Sequence, residues 1–165
     1  MNSSDDEPIV LGVDPGTVVT GFAVIRGSVP LNFGSIRPPK QLPLSSRYHI
    51  IFTGLCHLIQ KHSPSHVAIE TPFVGKNPQS ALKLGSALGC AIIAAKESGL
   101  LVFSYSPREV KRGITSLGGA TKEDVEAIIR ATFNLQSAKL NADACDALAI
   151  AVYHSRNANY MSKEI

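Results

Sequence analysis

Residues 9–13, Ile-Val-Leu-Gly-Val, make a short β-branched apolar run that Asp14-Pro15-Gly16 stops with a strong turn signal. Residues 21–25 resume as a second strand, and a third, around 31–36, ends at Pro38 and Pro39. The chain therefore opens as an antiparallel meander. Ser45 or Ser46 is placed to cap a helix running to about Lys61, because Ile50, Ile51, Leu55, Leu58 and Ile59 follow a helical period. Residues 66–70 (His-Val-Ala-Ile-Glu) read as a fourth strand that Thr71-Pro72 breaks. Residues 79–98 form a helix ending at Gly99, whose Ala, Leu and Gly content implies close packing on a sheet.

Residues 100–105 follow as a fifth strand, and Pro107 starts a short helix through Arg112. Gly118-Gly119 interrupts, and Thr121 with Asp124 has near capping-box spacing for a helix to about Phe133. A last helix spans 142–157. Three strands first, then alternation, then helices, predict an α/β fold: a mixed five-stranded sheet, antiparallel meander then parallel strands, flanked by helices on both faces. We expect one domain over 9–157, between a flexible tail at 1–8 and a C-terminal tail at 158–165.

At 165 residues and 44% apolar, the chain builds a core and is not a disordered protein. A net charge of +3 and a pI near 8.8 are compatible with a nucleic-acid partner without demonstrating one. Cys56, Cys90 and Cys145 have neither pairing nor metal-ligand spacing and read as small buried hydrophobes in a reducing compartment. No signal stretch opens the chain and no run is long enough to span a membrane, so a soluble cytoplasmic protein is expected.

The acids are few enough to take one by one. Asp14 at a strand-to-turn junction is an ordinary turn former when read alone. Glu70 ends the fourth strand, as a strand terminus meeting solvent would. Asp143 and Asp146, three apart, share one face at the start of the last helix, where the dipole suits one acid well. Together these readings are uncomfortable, because Asp146 leads into Ala-Leu-Ala-Ile-Ala-Val, a helix that must be buried. Acids at the edge of a buried element repel one another unless a positive charge lies between them. A pair of hard divalent ions, Mg²⁺ or Mn²⁺, would neutralise such an all-oxygen set.

Several blocks then resemble the RuvC family of Holliday junction resolvases. Leu-Gly-Val-Asp-Pro-Gly-Thr at 11–17 with Thr-Gly-Phe-Ala-Val at 20–24 is similar to its opening strand-turn-strand. Ala-Ile-Glu at 68–70, then Phe73, Lys76-Asn77 and Ser-Ala-Leu-Lys-Leu-Gly at 80–85, resembles its second block. Val110-Lys111 and Lys122 match its basic positions, and residues 142–151 resemble its closing acidic helix. The blocks run in order from about Ile9 to His154.

The resemblance implies an RNase H-like fold, a homodimer, and four catalytic, metal-holding acids: Asp14, Glu70, Asp143 and Asp146. It implies two Mg²⁺ ions per subunit, for which Mn²⁺ can substitute. The expected activity is paired, symmetric nicking of a four-way DNA junction in recombination and repair, alongside a RuvA–RuvB branch-migration complex. Thr71-Pro72, Pro78 and a short C-terminal tail depart from the pattern.

Lys111 and Lys122 are the expected partners of the scissile phosphate. Phe73 is expected to stack on a base near the junction centre, with Lys76, Lys83, Arg108 and Arg112 on phosphates. Read without the resemblance, these are a core-flanking aromatic and solvated surface cations. His154 is expected to pack or cap, and His49, His57, His62 and His66 to be structural or exposed. The rival readings are another RNase H-like nuclease acting on RNA–DNA hybrids or branched DNA, an actin-like ATP-binding module, and a non-catalytic junction-binding protein. The chain is too short for the paired domains of the second, and the acid set argues against the third.

Overall fold

A computed structural model describes residues 7–71, 77–117, 119–136, 139–157 and 160–165. The elements run β1 (Ile9–Asp14), β2 (Thr20–Arg26), β3 (Val29–Ile36), α1 (Leu44–His62), β4 (His66–Glu70), α2 (Pro78–Glu97), β5 (Leu101–Tyr105), α3 (Pro107–Thr115), α4 (Lys122–Thr132) and α5 (Ala142–Arg156), then a 3₁₀ turn at Tyr160–Lys163. One five-stranded sheet has the order β3-β2-β1-β4-β5. β1 pairs antiparallel with β2, and β2 with β3, whereas β1–β4 and β4–β5 are parallel. This is the mixed sheet that the pattern of short runs predicted.

The two-residue side-chain period of the strands divides the core in two. Val10, Ala23, Ala68 and Phe103 face α3, α4 and α5. Leu11, Val13, Val24, Ile69 and Val102 face α1 and α2. Helices thus cover both faces. α5 is apolar almost all round because it is sunk in the first of these layers, with Ala144, Cys145, Ala147–Val152 and His154 buried.

Local chemistry explains most boundaries, and it corrects some expectations. Neither Ser45 nor Ser46 caps α1. The helix begins at Leu44, Pro43 holds the cap position at φ −53° without a side-chain cap bond, and its carbonyl accepts from Arg47 N. Asn77 caps α2 by accepting from Gln79 N and Ser80 N, and Pro78 takes the first helical position, where its missing N–H costs nothing. The glycines of α2 do not serve close packing: a β-carbon at Gly85 or Gly89 would meet open space, while Ala91, Ala94 and Ala95 are buried in the sheet-facing layer. α3 continues past Arg112 to Thr115 and carries a capping box between Ser106 and Glu109. The Thr121–Asp124 capping box is present at the start of α4.

Residues 163–165 are packed down. Ile165 N donates to Val102 O, Glu164 bridges Phe103, and Lys163 pairs with Glu109, so the outer edge of β5 is partly covered. Among the described residues no helix is long and apolar enough to cross a membrane. Cys145 is buried, with its thiol pushed up to about 12 by burial, and Cys56 and Cys90 are half-buried.

Candidate active site

Asp14 and Glu70 reach the same place by register. β1 and β4 are parallel neighbours, so their C-terminal ends lie side by side, and the two-residue period turns Gly12 and Asp14, like Ala68 and Glu70, toward α5. Each strand end is clamped. The turn after Asp14 is held by the buried Thr20 hydroxyl, which donates to Gly16 O at 2.8 Å, while Arg47 Nη2 donates to Thr17 O. Beyond Glu70, Thr71 N donates to Tyr105 O at 2.8 Å, carrying the ladder one residue past the carboxylate, and the Thr71 and Ser104 hydroxyls are hydrogen-bonded.

α5 brings the other two acids. Its N-terminus is capped by Asn141 Oδ1, which accepts from Ala144 N at 2.8 Å. The helix lies close against the sheet because two strand positions beneath it, Gly12 and Gly21, carry no side chain. A β-carbon at Gly12 would stand 2.3 Å from Ala147 O, and one at Gly21 would stand 2.1 Å from Asp143 O. Only glycine allows this approach.

The result is a cavity of about 350 Å³ lined by Asp14, Glu70 and Asp146, by Lys111 and Lys122, and by the apolar Leu84, Val110 and Val125. Burial, then repulsion from Asp146 and Asp143, raises Asp14 to about 6, with Lys122 opposing. Burial, then Asp14 and Asp146, raises Glu70 to about 7, with Lys122 and Lys111 opposing. Lys122 Nζ lies 3.2 Å from Asp146 Oδ2, and that pairing raises the lysine.

Asp143 stands apart. It does not line the cavity, and its Oδ2 is 2.9 Å from Arg37 Nη2, although its charge reaches Asp14. Among the described residues, no three acid, histidine or cysteine groups form a ready-made ligand set. Asp143 and Asp146 each have one oxygen engaged by a cation, which leaves the other oxygen of each carboxylate for an ion. The donor chemistry fits a hard divalent cation: the set is all carboxylate, and Asp14 and Glu70 are raised by burial and then by neighbouring acids, an excess of negative charge that such an ion would relieve.

The other candidates divide. Arg108 joins Lys111, Gly119 and Ala120 around an adjoining groove, and Arg112 is exposed on α3. Lys83 lies elsewhere, in a groove with Leu44, Tyr48 and Leu82. Phe73 and Lys76 lie outside the described residues. His154 is a buried packing residue: its Nδ1 is 2.7 Å from the Tyr105 hydroxyl and its Nε2 is 3.0 Å from His66 Nδ1. Sequence reasoning passed over Arg37 and Arg47. Arg37 precedes Pro38-Pro39, a pair that signals only the end of a strand.

Comparison with known proteins agrees with this architecture. The family described as crossover junction endodeoxyribonuclease RuvC matches residues 10–154. The crossover junction endodeoxyribonuclease RuvC of Protochlamydia amoebophila is 43% identical over 155 residues, covering 92% of each chain. That of Marinobacter nauticus is 45% identical over 151 residues, covering 89% of this chain and 85% of the relative. Among solved structures, T. thermophilus RuvC in complex with a Holliday junction substrate superposes with a TM-score of 0.86 at 29% identity, over 96% of this chain and 100% of that one. A family match over residues 10–154, with relatives this similar over nearly the whole length, leads to one conclusion: the chain belongs to the RuvC family of crossover junction endodeoxyribonucleases.

Proposed function

We propose that this chain is a metal-dependent endodeoxyribonuclease that resolves four-way DNA junctions by paired, symmetric nicks. The observation that carries the reading is the placing of Asp14, Glu70 and Asp146, with two lysines, in one cavity of a chain that belongs to this family. Asp14, Glu70, Asp143 and Asp146 would hold two Mg²⁺ ions, or Mn²⁺ in their place. Bound there, the ions supply activation of the attacking water and stabilisation of the leaving oxygen.

The chain's own groups set the rest. Lys111 and Lys122 bring positive charge to the cavity wall, beside the apolar Leu84, Val110 and Val125, where a scissile phosphate gains from it. Arg108 and Arg112 extend that charge along α3 and contact flanking phosphates, as do Lys76 and Lys83. Phe73 stacks on a base near the junction centre. The active form is a homodimer, since two sites related by a two-fold axis match the symmetry of an opened junction. The exposed Leu82 and Ile93 of α2, with Gly85 between them, give it an apolar face suited to a second copy. A branch-migration complex of the RuvA–RuvB kind supplies the junction.

The test is cleavage of an immobile four-way junction beside linear duplex and RNA–DNA hybrid, with Mg²⁺ or Mn²⁺ and with Asp14→Asn as control. Paired nicks in the junction alone, abolished in Asp14→Asn while junction binding persists, are expected. Cleavage of the hybrid in preference would overturn the substrate. Binding without cleavage would overturn the catalytic reading.

A further inference from the structure

We infer that Arg37 is a positioning residue of the acid site, one that sets the place of Asp143 and through it the affinity of the site for divalent cation. The inference rests on the metal-dependent reading above.

Arg37 follows the end of β3 and reaches a residue 106 positions away. Two bonds orient its guanidinium. Nε donates to Ser35 Oγ at 2.9 Å, and Nη2 donates to Asp143 Oδ2 at 2.9 Å. The Ser35 hydroxyl also accepts from Asn141 Nδ2 at 3.4 Å, and Asn141 is the residue that caps α5. A single hydroxyl therefore ties the guanidinium to the cap of the helix that carries Asp143 and Asp146. The planar fork suits this task, because two of its donors point in fixed directions, which a lysine ammonium on a flexible stem cannot reproduce.

Two opposite effects on cation binding follow from a guanidinium beside Asp143, and magnitudes decide between them. Its charge repels an incoming cation, but the pair is open to solvent, with side-chain exposures of 54% for Arg37 and 33% for Asp143, so that repulsion is screened. The geometric hold on the carboxylate is not screened. A carboxylate at an open helix start otherwise samples several rotamers, and losing the hydrogen bond that orients a metal-binding carboxylate costs roughly 10–100-fold in affinity or activity. Positioning therefore outweighs repulsion. Asp143 needs this support more than Asp146, which lines the cavity and has Lys122 against it.

The experiment is Mn²⁺ binding to the DNA-free chain by calorimetry, with junction affinity measured separately in Ca²⁺ over a range of salt. Arg37→Ala is expected to weaken Mn²⁺ binding about ten-fold or more. Junction affinity should stay within two-fold and the melting temperature in chelator within a few degrees. Arg37→Lys is expected to restore little, and Ser35→Ala to fall between the parent and Arg37→Ala. Unchanged or tighter Mn²⁺ binding in Arg37→Ala would overturn the inference, the tighter case making Arg37 a competing cation. A loss of junction affinity with a salt slope shallower by about one, with Mn²⁺ binding intact, would overturn it in favour of a phosphate contact. Asp14→Asn separates the two readings. If the parent binds no Mn²⁺, or binds it as Asp14→Asn does, the metal-dependent reading fails. If Asp14→Asn loses binding and Arg37→Ala does not, only the role of Arg37 fails.

Discussion

Asp14 shows how far one residue can be read. At the end of an apolar run before Pro-Gly it is as much a turn former as a ligand. Its environment decides: burial and the charges of Asp146 and Asp143 lift it from 3.8 to about 6. A carboxyl whose value is raised on folding binds its proton more tightly folded than unfolded. Stability therefore falls as pH rises from about 4 to about 6, and the loss is complete above that. Replacing the charge with a neutral isostere removes the loss, so Asp14→Asn in chelator at pH 7.5 is expected to be more stable than the parent by about 1–3 kcal/mol. Urea denaturation of the two proteins checks this, and a less stable variant would mean that the acids do not strain the fold. Such a gain in stability with a loss of cleavage marks a functional site. Arg37 was illegible for the opposite reason. Nothing near it in the chain indicates a carboxylate partner, and the one it has is 106 residues on.

Among the elements, α5 matters most, and the sequence carries half of its account. The apolar run after Asp146 requires burial, and three-residue spacing places the two acids on one face. What it does not show is how low the helix lies. That depth comes from Gly12 and Gly21, on strands whose own pattern calls for no glycine, since each takes the place of a side chain that would collide with the α5 backbone. A methyl group at Gly21 would meet Asp143 O at 2.1 Å, so the helix start must lift. Gly21→Ala is expected to cost about 1–3 kcal/mol as an overpacking change. Its effect on cleavage should be larger, about 100-fold, because displacement of the acids by about an ångström suffices. Thermal melts beside single-turnover cleavage separate the two effects, and equal losses in folded fraction and rate would refute a positional cause. The cap at Thr121 and Asp124 was legible because its partners are local and of the expected types, whereas the equally local Ser106–Glu109 box went unread. Ser45 and Ser46 misled because Pro43 had already started the helix.

Over the whole molecule, the face of the sheet that carries the acids is closed toward the C-terminal end of α5 by a knot of rings around the buried His154. His154 on α5 bonds the Tyr105 hydroxyl of β5 and His66 of β4, and Tyr160 of the final turn lies 5.1 Å from it, ring to ring. Burial, with His66 adding to it, holds His154 down to about 4. Between pH 6.5 and about 4 the unfolded chain takes up a proton that the folded one refuses, so stability falls with pH there, by roughly 3 kcal/mol in all. Asp14 acts with the opposite sign, so the comparison to make is with His154→Gln, whose stability between pH 7 and 4.5 should fall less steeply than the parent's. Identical slopes would place the acid sensitivity elsewhere. The order of the elements, the mixed sheet and the four acids were all present in the sequence. Strand period, turn residues and helical spacing act over a few positions, and each leaves a local trace. Only the tertiary structure decided that Asp143 lies outside the cavity with Arg37 and that Lys122 holds Asp146, as it did the depth of α5 and the mooring of the last residues on β5. Those outcomes depend on side chains brought together from strands and helices far apart in the chain, where no local pattern records which neighbour each will meet.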